Sequence, residues 1–342
     1  MRDYILEVKD LTVYFELDEG LLKAVDGVSF NLKKGHTLGL VGESGCGKSV
    51  TSQALLRIVP KPGKVTGRIL LNELAGKPLD KPLDLAALPD QGKQIRDVRG
   101  GEIGMIFQEP MKAFSPIHTI GNQITEGILI HITDDPKKAR EIALEALQKV
   151  GIPNHEQRFN EYPHQLSGGL RQRAMIAMAL SCNPGILIAD EPTTALDVTI
   201  QAQVLELINE LKERNNASVI FITHDLGVIA EMADEVAVMY LGKIVEYAPV
   251  DMLFHHARHP YTRALLASVP SVTGAAKTRL ESIEGTVPFP MNLKPGCGFY
   301  SRCPYAIDGR CNAADIGVVE VRTGHEVRCV LAADAAQKDK AD

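Results

Sequence analysis

The chain has 342 residues, 45% of them hydrophobic and 23% charged, a balance that suits a globular protein of one large or two modest domains. Its formal net charge of -6 argues against a nucleic-acid binder held by a basic face. No stretch reaches the roughly 18 consecutive apolar residues of a membrane-spanning helix, and Met1 to Val13 carries charges where a secretory signal has its apolar run, so a cytoplasmic location is expected.

From Ile5 to Phe30 short alternating apolar runs break at Asp18-Glu19-Gly20, which predicts an antiparallel hairpin. Thr37 to Val41 reads as a short buried strand running into a glycine-rich turn, and Ser49 to Val59 as the helix that follows. Glu73 to Gln94 is rich in Pro, Asp, Lys and Leu without periodicity, a surface insertion before a strand at Ile103 to Phe107. Pro136 to Val150 has helical spacing, with Pro in the first turn and Gly151 past the end. Ile186 to Ala189 and Ser218 to Thr223 are buried-strand patterns separated by a helix over Ile200 to Arg214. That alternation predicts an α/β fold with a mostly parallel sheet and crossover helices.

After about Ser268 the composition shifts toward Gly, Pro and Cys. A nucleotide-binding domain is therefore expected over 1–268, a small cysteine-containing domain over 269–331, and a polar tail without regular structure over 332–342. Cys297, Cys303, Cys311 and Cys329 have the spacing C-x5-C-x7-C-x17-C, which in a reducing compartment reads as metal binding before disulfides. Four thiolates suit tetrahedral zinc or an iron-sulfur cluster, and the spacing does not choose between them.

Three segments carry chemistry. Gly42-Glu43-Ser44-Gly45-Cys46-Gly47-Lys48-Ser49 fits G-x-x-x-x-G-K-S/T between a strand and a helix. Its glycines let backbone amides wrap phosphates, the helix start adds a positive dipole end, Lys48 reaches the terminal phosphates, and the Ser49 hydroxyl ligates magnesium. The strand Ile186 to Ala189 ends in Asp190 and Glu191, acids placed to hold magnesium and to polarise an attacking water, respectively. Leu166-Ser167-Gly168-Gly169 opens a helix and offers free amides and a hydroxyl, a second anion-binding element.

Together these segments resemble the ATPases of ATP-binding-cassette (ABC) transporters. Leu166 to Leu170 resembles the signature segment of that family, with Leu170 where Gln or Met is commoner. The resemblance implies the cassette fold: a mostly parallel core sheet with crossover helices, an antiparallel β subdomain, and a helical subdomain over about 109–180. It implies an enzyme that hydrolyses ATP with Mg2+. It also implies that Ser167, Gly168 and Gly169 face the nucleotide of a partner ATPase, so that one chain does not complete its own site. Gln108 resembles the Q-loop glutamine, which contacts magnesium, and Ala195-Leu196-Asp197 resembles the D-loop. His224 resembles the switch histidine at the γ-phosphate, Val50 extends the phosphate loop's contacts, and Phe15, with Tyr14 as the rival, is the candidate to stack on adenine.

Ile103 to Met111 and His259-Pro260-Tyr261-Thr262-Arg263-Ala264-Leu265-Leu266 resemble the branch that serves bacterial oligopeptide, dipeptide and nickel importers; other members serve oligosaccharides. Pro295 to Phe299, Arg302-Cys303-Pro304, Cys311 and Cys329 resemble that branch's cysteine region, which implies a 4Fe-4S cluster, with zinc as the alternative. The implied partners are a second, non-identical ATPase subunit, two membrane permeases and an extracytoplasmic solute-binding protein, at the cytoplasmic face of the bacterial inner membrane. Ala113-Phe114-Ser115-Pro116 departs from the Ser-Leu-Asn-Pro common in the branch, in the region that grips the membrane partner. A cassette ATPase of DNA maintenance is the rival of another class, but the interval between Ser49 and Leu166 is too short for its coiled coils and shows no heptads. A non-hydrolysing regulator is the other rival, against which Glu191 and His224 argue.

Overall fold

The computed structural model describes residues 3–194, 197–268 and 283–338. The strands in chain order are β1 (Tyr4–Leu17), β2 (Gly20–Lys33), β3 (Thr37–Val41), β4 (Lys64–Leu74), β5 (Lys77–Asp84) and β6 (Ile103–Ile106). They continue with β7 (Ile186–Asp190), β8 (Ser218–Thr223), β9 (Glu235–Tyr240), β10 (Lys243–Pro249), β11 (Val319–Arg322) and β12 (His325–Val327). The chain divides into two compact units, one drawn from Met1–Leu6, Leu32–Thr37 and Leu70–Ile222, the other from Glu7–Asn31, Leu38–Ile69 and Thr223–Asp342.

The first unit holds the parallel strands β6, β7 and β8, with Ile103 opposite Ile186 and Ile188 opposite Ile220. Every residue of the three is buried. Burial on both faces is why they read as unbroken apolar runs with no alternation. Helices Ile120–His131, Pro136–Lys149 and Gly168–Leu180 occupy the stretch expected to be helical. The first buries Ile120, Ile124 and Ile128, the second Ala139, Ala143 and Leu147, one residue per turn and so one stripe per helix. Asp135 caps the second, its carboxylate accepting the Lys137 amide at 2.9 Å, and Gly151 leaves it with φ 70°.

The segment expected as a surface insertion before β6 is regular. β4 runs to Leu74 and turns through Ala75 and Gly76 into β5, pairing Leu74 with Lys77 and Leu70 with Asp84. Two features hid this hairpin. Both turn residues have positive φ, 49° and 71°, yet the first is alanine instead of the usual Asn or Asp. β5 is also an edge strand, largely solvent-exposed on both faces, so Pro78 and Pro82 are tolerated and no polar-apolar alternation is needed.

The second unit contains most of the β1–β2 hairpin, turning at Asp18-Glu19 as expected, with β4 beside β1. It also holds β3 parallel to β9, Leu40 opposite Ala237, and β9 antiparallel to β10. The cysteine-bearing segment belongs to this unit. Its β11–β12 hairpin adds to the edge of β10, with Glu246 opposite Val327. The expected boundary near 268 falls beside residues 269–282, which lie outside the described part. From Val330 to Lys338 the chain is helical, where a tail without regular structure is expected from residue 332. Ala332 packs beside Val327 and Cys329, which gives the segment an apolar side to bury.

Replacing Asp135 with Ala is expected to lower the stability of the first unit by about 1 kcal/mol, the usual worth of an N-cap, while Asn at the same position retains most of it. The urea midpoint of the unfolding transition checks both.

Candidate functional site

β3 is buried along its whole length and delivers the chain into Gly42, Gly45 and Gly47, with φ of 152°, 79° and 105°. Glycine is required here by space as well as by backbone: a Cβ on Gly42 would strike the Met239 carbonyl oxygen, and one on Gly47 that of Ala24. The helix Lys48–Leu55 follows with Gly47 as a cap that has no side chain to occupy the first amides. Those N–H groups and the helix dipole make an anion site.

Lys48 is 5% exposed. Its ammonium donates to the carbonyls of Gly42 at 2.8 Å and Glu43 at 3.1 Å, so the charge sits inside the curl of the loop. Arriving phosphate oxygens would take over from those carbonyls. Cys46 is buried below, and burial pushes its thiol up despite the neighbouring Lys48, so it stays a neutral filler and not a nucleophile. Ser44 and Gly45 are exposed, and Ser49 and Val50 lie in the first helical turn. Phe15, on β1, is half-buried, with an edge where a Cβ on Gly63 would fall; Tyr14 instead lies under the Lys64 ammonium. Exposed His224 follows β8, and Asp225 caps the helix Leu226–Met232.

The first unit gathers the acids. Asp190 ends β7 and is 3% exposed. Glu191 follows with φ 45°, a left-handed conformation that a non-glycine residue adopts only under constraint, and its amide donates to the Ile222 carbonyl at 2.8 Å. That turn aims its carboxylate at Gln108, whose Nε2 donates to it at 2.8 Å, and Thr194 Oγ1 donates at 3.0 Å. Gln108 follows β6 and Glu191 follows β7; these strands are parallel neighbours, so their carboxyl ends lie side by side. Ser167 caps the helix Gly168–Leu180, its Oγ accepting the Leu170 amide at 3.4 Å, and the space beside Gly168 is open. Asp197 caps Val198–Asn215 by accepting the Ile200 amide at 3.0 Å, whereas Ala195 and Leu196 lie outside the described residues.

Gln172, 3% exposed, acquires a role that sequence reading missed. Its amide donates to the Pro192 carbonyl, tying the signature helix to the turn after Glu191. The sequence offers a polar residue on the buried side of a helix as the signal.

The cysteine segment packs through Phe299, which lies edge-on to Tyr240 at 5.3 Å and tilted to Tyr261 at the same distance. Burial pushes the Cys297 thiol up to about 11, and Cys303, Cys311 and Cys329 all lie within electrostatic reach of it. Burial also raises Cys303 and Cys329. The Cys311 sulfur accepts the Ile307 amide at 3.4 Å. Among the described residues no three His, Cys, Asp or Glu side chains converge tightly enough to hold one metal ion. The convergence of the four thiols that the resemblance implied, for a 4Fe-4S cluster or for zinc as the alternative, is therefore not seen among the described residues.

The fold and the two halves of this chemistry have clear relatives. A family model described as "ABC transporter" matches residues 25–194, and one described as "Oligopeptide/dipeptide transporter, C-terminal region" matches 245–311. The oligopeptide transport ATP-binding protein AppD of Bacillus subtilis is 50% identical over 327 residues, 96% of this chain and 96% of its own length. The dipeptide transport ATP-binding protein DppD of the same organism is 49% identical over 331 residues, 96% and 94% respectively. Among solved structures, a dimeric bacterial ABC transporter cassette superposes with a TM-score of 0.62 at 26% identity, covering 72% of this chain and 98% of its own. The chain belongs to the ABC transporter ATPases and carries the C-terminal region of the oligopeptide/dipeptide group.

His259 generates a pH prediction. It is buried, burial lowers its pKa from 6.5 to about 4, and its Nδ1 accepts the Tyr261 amide at 3.1 Å. The folded pKa lies below the unfolded one, so the unfolded chain binds the extra proton and stability falls as pH drops from about 6.5 toward 4. About 2 kcal/mol should be lost to this residue between pH 7 and pH 5. His259→Asn keeps an acceptor for the cap and should remove that part of the slope, read by urea unfolding at the two pH values.

Proposed function

We propose that this chain is the ATP-hydrolysing subunit of a bacterial peptide importer, converting ATP binding and hydrolysis into changes of access in membrane permease subunits. The observation that carries the motor reading is the Gln108–Glu191–Thr194 cluster, a carboxylate held by an amide and a hydroxyl after a buried strand that ends in Asp190. Phosphoryl transfer needs little beyond positioning and charge stabilisation. Lys48 and the loop amides suit the β- and γ-phosphates, Ser49, Asp190 and Gln108 supply oxygens suited to Mg2+, and His224 suits the γ-phosphate. Glu191 is the group to orient and polarise the attacking water once it exchanges Gln108 for that water. Magnesium, when bound, neutralises charge on the phosphates.

In this reading the site is shared between two ATPase chains, each lending its Ser167–Gly169 segment to the nucleotide of the other. The family match of the C-terminal region and the names of the relatives favour di- or oligopeptides over nickel or oligosaccharides as the cargo. The partners in this reading are a related second ATPase, two permeases and a solute-binding protein. No helix among the described residues is long and apolar enough to cross a membrane, so attachment to the inner face runs through the permeases.

Cys297, Cys303, Cys311 and Cys329 are the ligands for a 4Fe-4S cluster in this reading. Support comes from the spacing C-x5-C-x7-C-x17-C, from the placement of Cys303, Cys311 and Cys329 within electrostatic reach of Cys297, and from the Ile307 amide donated to the Cys311 sulfur. Such hydrogen bonds stabilise thiolates and tune a cluster's potential.

Glu191→Gln is expected to reduce ATP turnover at least about a hundred-fold while ATP still binds, measured by steady-state phosphate release and ATP titration; near-parental turnover would remove Glu191 from the role. Protein purified without oxygen should contain iron and sulfide in equal amounts and absorb in the visible. Stoichiometric zinc in a colourless preparation would reverse the cluster assignment.

A further inference from the structure

The cysteine-bearing segment reaches the phosphate loop through a contact that nucleotide chemistry alone does not require. Glu43, the residue after the first loop glycine, forms a two-pronged pair with Arg302: Nη1 donates to Oε2 at 2.7 Å and Nη2 to Oε1 at 3.0 Å. The Arg302 side chain is only 4% exposed, against 27% for Glu43. Its planar fork is fixed from other sides too, because Nε donates to the Glu284 carbonyl at 2.9 Å and Nη1 to Tyr240 Oη at 3.3 Å. The guanidinium also lies 5.9 Å from the ring centres of both Tyr240 and Phe299. Glu43 is held at its other end as well, its amide donating to Tyr261 Oη at 2.8 Å.

A loop that must accept several phosphate charges gains nothing from a carboxylate of its own; an unpaired one would repel the ligand. The Glu43 carbonyl also helps seat the Lys48 ammonium, so a shift of Glu43 disturbs the cation as well. We propose that Arg302 is a positioning residue for the phosphate loop, neutralising Glu43 and turning its carboxylate aside so that the loop presents N–H groups and Lys48 to ATP. The segment that carries Cys303 thereby supplies the counter-charge on which nucleotide affinity depends. Arg302 touches no nucleotide in this role and acts only through Glu43.

The test uses the full chain assembled with its transporter partners, with ATP as the probe. Arg302→Ala is expected to raise the KM for ATP about ten-fold with kcat within about two-fold, and the increase should shrink at 0.5 M salt because it arises from charge repulsion. Adding Glu43→Gln to Arg302→Ala should restore most of the lost affinity, since no acid is left to neutralise. Arg302→Lys keeps the charge but loses the fork, and should raise KM about three-fold. A residue that only braced the fold would lower the melting temperature without rescue by Glu43→Gln or a change in salt dependence. If Arg302→Ala fails to fold, Arg302→Lys with and without Glu43→Gln carries the comparison. An unchanged KM in a folded variant, an effect confined to kcat, or failure of Glu43→Gln to relieve the defect overturns the proposal.

Discussion

Lys48 keeps a full positive charge almost out of reach of solvent, and much of the second unit follows from what that demands. A buried ammonium is tolerable only when fully hydrogen-bonded, and here its three donors are met by two carbonyls of its own loop and, more weakly, by the Cys46 sulfur. Those carbonyls turn inward because the backbone passes through left-handed glycines, and the glycines are forced by the carbonyls of Met239 and Ala24 pressing on them. Met239 is on β9, the parallel neighbour of β3, so the sheet that delivers the loop also limits its shape. The result is a glycine loop curled around one cation at a helix start, an arrangement suited to a polyphosphate.

The first unit meets a different constraint with the same device of parallel strands. Side-by-side carboxyl ends put polar residues from β6 and β7 at one edge of the sheet. Glu191 adopts a left-handed backbone there, which orients its carboxylate to Gln108 and Thr194 instead of letting it splay into solvent. A buried amide from Gln172 to the turn beyond it joins the signature helix to the same spot. Helix and turn are thereby tied together next to Glu191.

The tail gains its structure from the rest of the second unit. Phe299 closes an aromatic group with Tyr240 and Tyr261, and Asn292 accepts the Leu21 amide at 3.0 Å. Glu246, fully buried, accepts the Arg258 and His259 amides and pairs with His325 at 2.8 Å, joining the β11–β12 hairpin to the helix that carries Tyr261. Burial opposes the charge on Glu246, but its hydrogen bonds outweigh that and hold it below the ordinary carboxylate range. Metal or no metal, the segment is anchored by partners far from the cysteines in sequence: Tyr240, Tyr261, Glu246 and the Leu21 amide.

The elements legible in the sequence were those whose function or burial is written locally. The β3 strand, the glycine loop, the buried β7 and β8, and the capped helices Pro136–Lys149 and Gly168–Leu180 depend on residues within a few positions of one another. The β4–β5 hairpin escaped notice because an alanine takes the left-handed turn position and an exposed edge strand has no pattern to show. The sequence by itself determined the phosphate chemistry, since a strand, a glycine turn and a lysine at fixed spacing suffice to build an anion cradle. Only the tertiary structure decided that Glu43 is neutralised by Arg302, 259 residues away, and that Glu191 rests on Gln108, 83 residues away. Charge pairing across such separations depends on which strands and turns become neighbours, and nothing in the local order of residues encodes that.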